Sequence, residues 1–227
     1  MPDKKPARGG PAKGDPGPLI LVVDDFEDII ANAPKVKHLC TPANKNGEGV
    51  LDDVTHLESY SLKAIGGTPP FAHKTQIQVD NQLGTLFVDA IKRDSLLVPT
   101  NKSLSGPATA PDNGAINVDH YKCYKVKVSP GAPKFEPTTV DVTDQFIATP
   151  KTFTLKKLKR LCNAVDKNGE GIKNAGVHLA CYQAKAVPGQ AKHVKTSGVN
   201  TANQFGSGVL GTVKETEVCI PSITTVP

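Results

Sequence analysis

Apolar and polar residues alternate along much of this chain with a period of two. Val140 and Val142 alternate with threonine and aspartate residues, and Ala180 and Tyr182 follow the same rule on either side of Cys181. Successive side chains of a β-strand point to opposite faces, so this period is typical of strands that are buried on one face. The pattern predicts short strands separated by turns.

The pattern occurs twice in the chain. Leu39-Cys40 recurs as Leu161-Cys162, and the string KNGEG at 45–49 recurs at 167–171, both at an offset of 122 positions. An ungapped repeat of this length predicts a duplicated folding unit. Further identities keep the same offset: His56-Leu57, Tyr60, Lys63-Ala64, Asn81-Gln82, Gly84, Lys92 and Pro99 match His178-Leu179, Tyr182, Lys185-Ala186, Asn203-Gln204, Gly206, Lys214 and Pro221.

A weaker repeat divides the second copy into two halves. The string HYKCY at 120–124 resembles HLACY at 178–182, and DQF at 144–146 resembles NQF at 203–205. We therefore expect each half to contain a Cys-Tyr strand, a strand that ends in Gln-Phe and a third strand that ends in cysteine.

One segment departs from the period of two. Leu155, Leu158 and Leu161 are spaced as on one face of a helix. The matching segment of the first copy contains Pro34, which disfavours a long helix. The two copies together predict a bulged strand or a single helical turn.

The composition favours an all-β fold. The chain has 227 residues with 20 glycines, 19 prolines and 5% aromatic residues, so turns are many and helices are few. We predict two tandem small antiparallel β-sandwich or barrel domains that arose by internal duplication, each built of two pseudo-repeated halves. The predicted boundaries are a disordered basic Pro/Gly tail at 1–18, a first domain at 19–100, a linker at 101–118, a second domain at 119–223 and a C-terminal tail at 224–227.

Charge and hydropathy exclude two classes of partner. The formal net charge of +5 is small and is spread along both copies, which does not favour a nucleic-acid partner. The longest apolar run, 19–23, is far shorter than the roughly 18 to 20 residues of a membrane-spanning helix, so no membrane insertion is expected. The basic cluster of Lys156, Lys157, Lys159 and Arg160 is interpreted as a solvated strand face.

Four of the five cysteines are predicted to form two disulfides, Cys123–Cys162 and Cys181–Cys219, because each pair opens and closes one half of the second copy. The first copy has Ser59 and Leu97 at the positions of the second pair, so both cysteines are absent together, as expected of partners. Each bridge closes a loop of about 40 residues and contributes roughly 4 kcal/mol in the chain-entropy model. Disulfides indicate an oxidising compartment, so we expect a secreted, periplasmic or cell-surface protein.

Cys40 matches Cys162, but the first copy has no counterpart of the strand that carries Cys123. Three explanations remain open at this point. The natural protein starts further upstream, Cys40 is a free buried thiol, or another chain supplies the strand and its thiol. In the last case the protein self-assembles by strand complementation of its first domain, because an incomplete sheet leaves unpaired backbone groups along an edge.

One short motif suggests a metal site. Asp166, Asn168 and Glu170 alternate around a glycine and weakly resemble a calcium loop, but the bidentate acid of such a loop is missing and the first copy has Asn44 in place of Asp166. A tight turn is the preferred interpretation, since Asn-Gly readily adopts positive φ. No other cofactor is expected.

No residue is predicted to be catalytic. His56, His120 and His178 occupy the same repeated position, so they are interpreted as hydrogen-bonding residues that open a strand. The adjacent acid pairs 24–25 and 52–53 are rejected as hydrolase carboxylates, since neighbours on a strand point to opposite faces. The chain also lacks the G-x-S-x-G, H-E-x-x-H and P-loop motifs.

The repeated strings carry a resemblance that covers the second copy and most of the first. They are HYKCYKVK at 120–127, DQF at 144–146, LCN at 161–163, DKNGEG at 166–171, HLACY at 178–182, NQFG at 203–206 and CIPS at 219–222. The chain resembles a family of uncharacterised bacterial secreted Cys-Tyr repeat proteins. The resemblance implies an exported repeat protein and supplies no catalytic residue. Members of that family usually begin with a signal peptide and carry the Cys-Tyr strand in every full unit, and this chain differs from them at its amino end.

The expected function is that of a non-enzymatic exported or cell-surface protein with a structural, adhesive or assembly role. A carbohydrate-active or other hydrolase with a groove between the two copies is the first alternative. A calcium-stabilised binding module is the second. A deep pocket with convergent, unrepeated carboxylates and histidine would favour the hydrolase.

Overall fold

The computed structural model describes residues 17–227, and the regular elements of this part of the chain are all strands. The prediction of an all-β protein is therefore confirmed. Most of the predicted disordered tail, residues 1–16, lies outside the described residues. No helix within 17–227 has the length and apolar composition needed to cross a membrane.

All fifteen strands belong to one hydrogen-bonded antiparallel sheet. In chain order they are β1 (Leu19–Val23), β2 (Asp28–Asn32), β3 (Val36–Cys40), β4 (Asn44–Lys45), β5 (His56–Ser61), β6 (Lys63–Ala64), β7 (Lys74–Asn81), β8 (Gly84–Ser103), β9 (His120–Val128), β10 (Thr138–Asp144), β11 (Ile147–Lys167), β12 (His178–Ala186), β13 (Val199–Asn203), β14 (Gly206–Leu210) and β15 (Glu217–Thr225).

The centre of the sheet is a meander of seven strands, in the order β3, β5, β8, β9, β11, β12 and β15. Each strand of this series is antiparallel to the next. The long strands β8 and β11 each begin in a hairpin, with β7 or β10, and continue into the meander. Strands of the first copy therefore pair with strands of the second copy, as β8 does with β9.

Four hairpins surround the meander: β1–β2, β7–β8, β10–β11 and β13–β14. Each is closed by an Asp or Asn whose side-chain oxygen accepts a backbone N–H two residues further on. The four turn residues are Asp24, Asn81, Asp144 and Asn203. Because Asp and Asn stabilise turns in this way, the repeated Asp/Asn-x-Phe/Leu string specifies the hairpin ends.

The pairing registers repeat with the sequence. Ser59 lies opposite Leu97 where β5 meets β8, and Cys181 lies opposite Cys219 where β12 meets β15, at the offset of 122 positions. The β3–β5 and β11–β12 pairs also share one register. Two copies thus make equivalent contacts inside one sheet, and the division into two duplicated domains stays a prediction.

Strand β11 carries register shifts between Leu155 and Leu158 and between Leu158 and Arg160. The bulged strand predicted for this segment is therefore confirmed. In the first copy the corresponding chain is interrupted, since β2 ends at Asn32 and β3 begins at Val36. Pro34 lies in this interruption, where it cannot donate a hydrogen bond to a neighbouring strand.

The largest apolar cluster contains residues of both copies. Ile77 and Val79 of β7 are fully buried together with Tyr124 of β9 and Tyr182 of β12. A second cluster packs the β1–β2 hairpin, through Ile20 and other residues, against β8 and β11. A third contains the half-cystines and Leu97. Strands of one copy thus bury apolar side chains of the other copy. This burial stabilises the shared sheet.

Candidate functional site at the open edges of the sheet

Both predicted disulfides are present, and each joins two directly opposed residues of neighbouring strands. Cys123–Cys162 connects β9 to β11, and Cys181–Cys219 connects β12 to β15. The Cα atoms of each pair are 3.9 Å apart. The matching position between β5 and β8 holds Ser59 opposite Leu97, so it is the same register without the bridge.

Strand β3, which carries Cys40, has a neighbour on one side. Its counterpart β11 lies between β12 and β9, and the disulfide of Cys162 points to β9. Within residues 17–227, β3 pairs with β5 alone, which corresponds to β12. Cys40 is partly exposed and forms no disulfide with a cysteine of this range. The side of β3 that corresponds to the β9 side of β11 is therefore open.

Strand β15 is open in the same way. Its counterpart, the second half of β8, lies between β5 and β9. Strand β15 pairs with β12 from Glu217 to Ser222 and with β7 only from Ile223 to Thr225. Between Glu217 and Ser222 the described part of the chain leaves the other edge of β15 without a neighbouring strand.

Side chains of the two open-edged strands meet at Arg160. Arg160 of β11 donates hydrogen bonds to Glu217 of β15, with Nε 3.0 Å from Oε2, and its Nη2 lies 3.2 Å from Nε2 of His38 on β3. It also donates to Asp94 at the start of the central part of β8, at 3.0 Å. One side chain reaches the first and the last strand of the meander, so the meander is rolled. We call the space between the open edges of β3 and β15 the seam.

Near neutral pH the thiol and the imidazole of the seam are uncharged, and the charge of its arginine is paired. Burial raises the pKa of the Cys40 thiol to about 11, although Arg160 opposes the shift, so the thiol stays protonated and weakly nucleophilic. Burial, and then Arg160, lower the pKa of His38, which keeps its imidazole uncharged. Two carboxylates balance Arg160. The Cys40 thiol is therefore not activated as a nucleophile by its surroundings in the seam.

The three repeated histidines are buried at the starts of their strands. Nδ1 of His56 lies 2.7 Å from the carbonyl oxygen of Val54, and Nδ1 of His178 lies 3.1 Å from Oδ1 of Asn163. Burial lowers the pKa of all three, and that of His120 to about 4. The contacts of His56 and His178 agree with the predicted role of opening a strand.

The calcium-loop candidates form the predicted turn. Oδ1 of Asp166 accepts the N–H of Gly171 at 3.1 Å, and Asn168 has a φ of 57° with its Oδ1 accepting the N–H of Leu21 at 2.9 Å. Glu170 accepts hydrogen bonds from Lys167 and Gln204. The oxygens of the motif thus close the turn and connect it to β1. Throughout residues 17–227 there is no group of three or more His, Cys, Asp or Glu residues that could hold a metal ion.

Sequence reasoning missed two ionic clusters. Lys156, Lys157 and Lys159 are exposed as predicted, but Arg160 turns into the seam. Asp24, considered only as half of an adjacent acid pair, has a fully buried side chain beside Lys122. The signal for Asp24 is the turn string itself, because 24–27 (DDFE) aligns with 144–147 (DQFI) at an offset of 120 rather than 122.

Two shallow clefts bear on the hydrolase alternative. One lies between the 107–108 segment and the β13–β14 hairpin, and the residues that line it include no Asp, Glu or His. The other is lined by Glu27, Asp28 and Arg93 together with Thr68–Pro70 and apolar residues. Neither lining brings carboxylates together with a histidine.

Comparison of the chain with protein-family models, with curated proteins and with solved structures gives no match. The resemblance to secreted Cys-Tyr repeat proteins stays a prediction.

Proposed function

We propose that this chain is a non-enzymatic, exported structural protein that assembles by accepting a β-strand from another chain into the seam. The single observation that carries the proposal is the pair of open edges, β3 and β15, of which β3 carries the unbridged thiol of Cys40. Unpaired N–H and C=O groups along an edge are a template for a further strand. Addition of a strand through backbone hydrogen bonds is a general mode of protein association.

The repeat defines the chemistry of the incoming strand. Strand β9 occupies the corresponding position between β8 and β11, with Cys123 opposite Cys162 and Tyr124 opposite Leu161. The incoming strand therefore resembles β9, with a cysteine opposite Cys40 and a tyrosine directly after it. Its cysteine forms the disulfide that Cys162 forms in the second copy.

We assign the incoming strand to a second polypeptide. The Cys-Tyr strands within residues 17–227 are β9 and β12, with β5 as the Ser-Tyr equivalent, and each already has two neighbours in the meander. Residues 1–16 contain no cysteine and no tyrosine, and four of them are proline, which lacks the N–H that a paired strand needs. No unused Cys-Tyr strand is thus found among residues 1–227, and the proposal takes the strand from another chain.

An exported setting suits this assembly. The two disulfides fit an oxidising environment, in which a third bridge to Cys40 also persists. A strand that is both hydrogen-bonded and disulfide-linked gives a joint that resists dissociation. Such joints suit a structural or adhesive protein at a cell surface.

The test is capture of a synthetic peptide with the sequence of β9, HYKCYKVKV, by the whole purified chain in a glutathione redox buffer. We expect one peptide per chain, attached to Cys40, as measured by intact mass and peptide mapping. A control peptide, HYKYCKVKV, moves the cysteine by one residue and so to the opposite face of the strand. The Cys40→Ser variant checks that no other thiol reacts.

Selective capture of the first peptide supports the proposal. Equal yields with both peptides would mean ordinary thiol exchange and would overturn it, as would failure to capture either. A serine version of the peptide, followed by fluorescence anisotropy, measures the backbone contribution without the covalent bond.

A further inference from the structure

A buried lysine lies between two carboxylates where the β1–β2 hairpin meets β9. The side chains of Lys122 and Asp24 are both 0% exposed. Nζ of Lys122 is 3.0 Å from Oε1 of Glu27 and 3.6 Å from Oδ1 of Asp24. Charged side chains are rarely buried to this extent, and removing them from water has a large free-energy cost. The complete burial of this lysine and aspartate therefore points to a chemical role for the pair.

The carboxyl group of Asp24 is held as an electrophile. Its Oδ1 accepts the backbone N–H groups of Phe26, at 3.1 Å, and Glu27, at 3.0 Å. The hydroxyl of Tyr124 donates to the same carboxyl group, 2.8 Å from Oδ2. Burial raises the pKa of Asp24 despite the nearby Lys122, which favours the uncharged acid. Donors that converge on one oxygen stabilise the negative charge that develops there during attack on the carbon.

The carboxyl group of Glu27 differs from that of Asp24 because its surroundings favour the ionised form. Its carboxylate accepts a hydrogen bond from Nε of Arg93 at 2.7 Å and a second from Nη2 of the same guanidinium. Burial acts to raise the pKa of Glu27, but the hydrogen bond from Arg93 and the charge of Lys122 outweigh burial and lower it. Glu27 is therefore ionised, and its Oε1 lies within hydrogen-bond distance of Nζ of Lys122.

Aromatic rings enclose the group. The ring of Tyr124 lies 5.1 Å from that of Phe26 and 4.8 Å from that of Phe71, measured between centroids. The side chains of Lys122 and Asp24 are both shielded from water, which strengthens the electrostatic interaction between them.

The equivalent turns serve as internal controls. Asn81 donates to the hydroxyl of Tyr182, and Asn203 donates to the hydroxyl of Tyr60, as the counterparts of the Asp24–Tyr124 pair. The position of Lys122 on β9 is occupied by Ala180 on β12 and by Glu58 on β5, and the position of Glu27 is occupied by Gly84, Ile147 and Gly206. The turn and the tyrosine contact thus form elsewhere without lysine and glutamate. Lys122, Asp24 and Glu27 occur together only at this turn of the four.

We propose that Lys122 and Asp24 condense to an intramolecular amide cross-link, with Glu27 as the catalytic proton carrier. Glu27 takes a proton from the ammonium group, and the freed amine attacks Cγ of Asp24. The Nζ–Cγ bond forms, the Cγ–Oδ2 bond breaks, and Glu27 returns a proton to the departing oxygen, which leaves as water. The last proton of the amine passes through Glu27 to solvent. One ammonium and one carboxylic acid thus give one amide, one water and one proton, with no oxidant or cofactor.

Asp24 rather than Glu27 is the acyl partner because the two carboxyl groups differ in their contacts. Glu27 is engaged at both oxygens by a guanidinium that keeps it ionised, and an ionised carboxylate is a poor electrophile. Asp24 has the donors on one oxygen that the reaction needs. The bond would tie the β1–β2 hairpin covalently to β9.

The test is the intact mass of the full chain after reduction of its disulfides. We expect a mass lower by one water than that of the sequence, and tandem mass spectrometry should find a branched peptide that joins Lys122 to Asp24. The Glu27→Gln variant, which keeps the size of the side chain, should retain the full mass, and Lys122→Arg should do the same while keeping the positive charge.

Three results would overturn the proposal. The first is the full mass in the folded wild-type chain after prolonged incubation. The second is a branch at Glu27 instead of Asp24. The third is loss of water that persists in Lys122→Arg, which would indicate cyclisation of an aspartate with its own backbone. The wild-type measurement needs no variant, so a misfolded variant leaves the test intact.

Discussion

Strand β3 matches the later part of β11 in sequence at the offset of 122 positions, and the two strands differ in what lies beside them. Cys162 of β11 is fully buried in a disulfide to β9, whereas Cys40 of β3 is partly exposed and has no disulfide partner in residues 17–227. Their neighbours on the other side, β12 and β5, pair in one common register. The comparison indicates that the neighbouring strand, rather than the local sequence, determines whether this cysteine forms a disulfide.

The largest effect in this comparison is expected from the second bridge of the second copy. Replacing Cys181 and Cys219 with serine should lower the free energy of unfolding by about 4 kcal/mol, since the unfolded chain regains the freedom of a loop of 38 positions. Guanidinium unfolding under oxidising conditions measures the change. Cys40→Ser is the matched control, and we expect it to change the same free energy by less than about 1 kcal/mol.

A new bridge in the first copy should give a smaller effect of opposite sign. The double variant Ser59→Cys with Leu97→Cys places two cysteines in the register of Cys181 and Cys219. A bridge contributes about 4 kcal/mol, and truncation of buried Leu97 costs about 2 to 3 kcal/mol, so a net gain of about 1 to 2 kcal/mol is expected. Free thiols in the folded double variant would show that the two registers differ. Leu97→Cys alone isolates the truncation cost.

The last effect is spread over pH and concerns His120, which begins β9, the strand whose counterpart beside β3 is not found within residues 17–227. Burial holds its pKa at about 4, below the ordinary value of 6.5, so the folded state favours the neutral imidazole. Its contribution to stability is fully present above pH 6.5 and is lost as the pH falls from 6.5 towards 4. In that window His120→Gln should remove about one proton of uptake on unfolding, or about 1.4 kcal/mol per pH unit.

Denaturant titrations of both proteins at several pH values between 4 and 7 measure this slope. An unchanged slope in His120→Gln would mean that His120 titrates alike in the folded and unfolded states.

The sequence was sufficient for the all-β class and for both disulfides. The class follows from the period of two, and the bridges follow from the joint replacement of Cys181 and Cys219 by Ser59 and Leu97 in the other copy. The shared sheet was not predictable, because two copies with the same edges can pair within a copy or between copies with the same local pattern. Pairing of β7 with β15 joins residues that no local signal connects.

The buried cluster at Asp24 was not predicted from the sequence, for a related reason. Its turn string aligns with 144–147 at an offset two residues shorter than the main repeat, so the alignment that revealed the cysteines hid the equivalence of Asp24 with Asp144. Nothing in the local sequence places Lys122 beside Asp24, because the contact forms only when β9 packs against the β1–β2 hairpin. The sequence predicted that a strand is missing next to Cys40. It did not predict that β15 also has an open edge, which is known only from the structure.

Amide hydrogen exchange on the whole chain tests the open seam most directly. Alternate N–H groups of an edge strand point away from its neighbour and exchange fast when that side is open. We predict that alternate amides of β3, and of β15 between Glu217 and Ser222, exchange much faster than their counterparts in β11 and β8, and become protected when the β9 peptide is added. Equal protection of β3 and β11 in the chain without peptide would contradict the account.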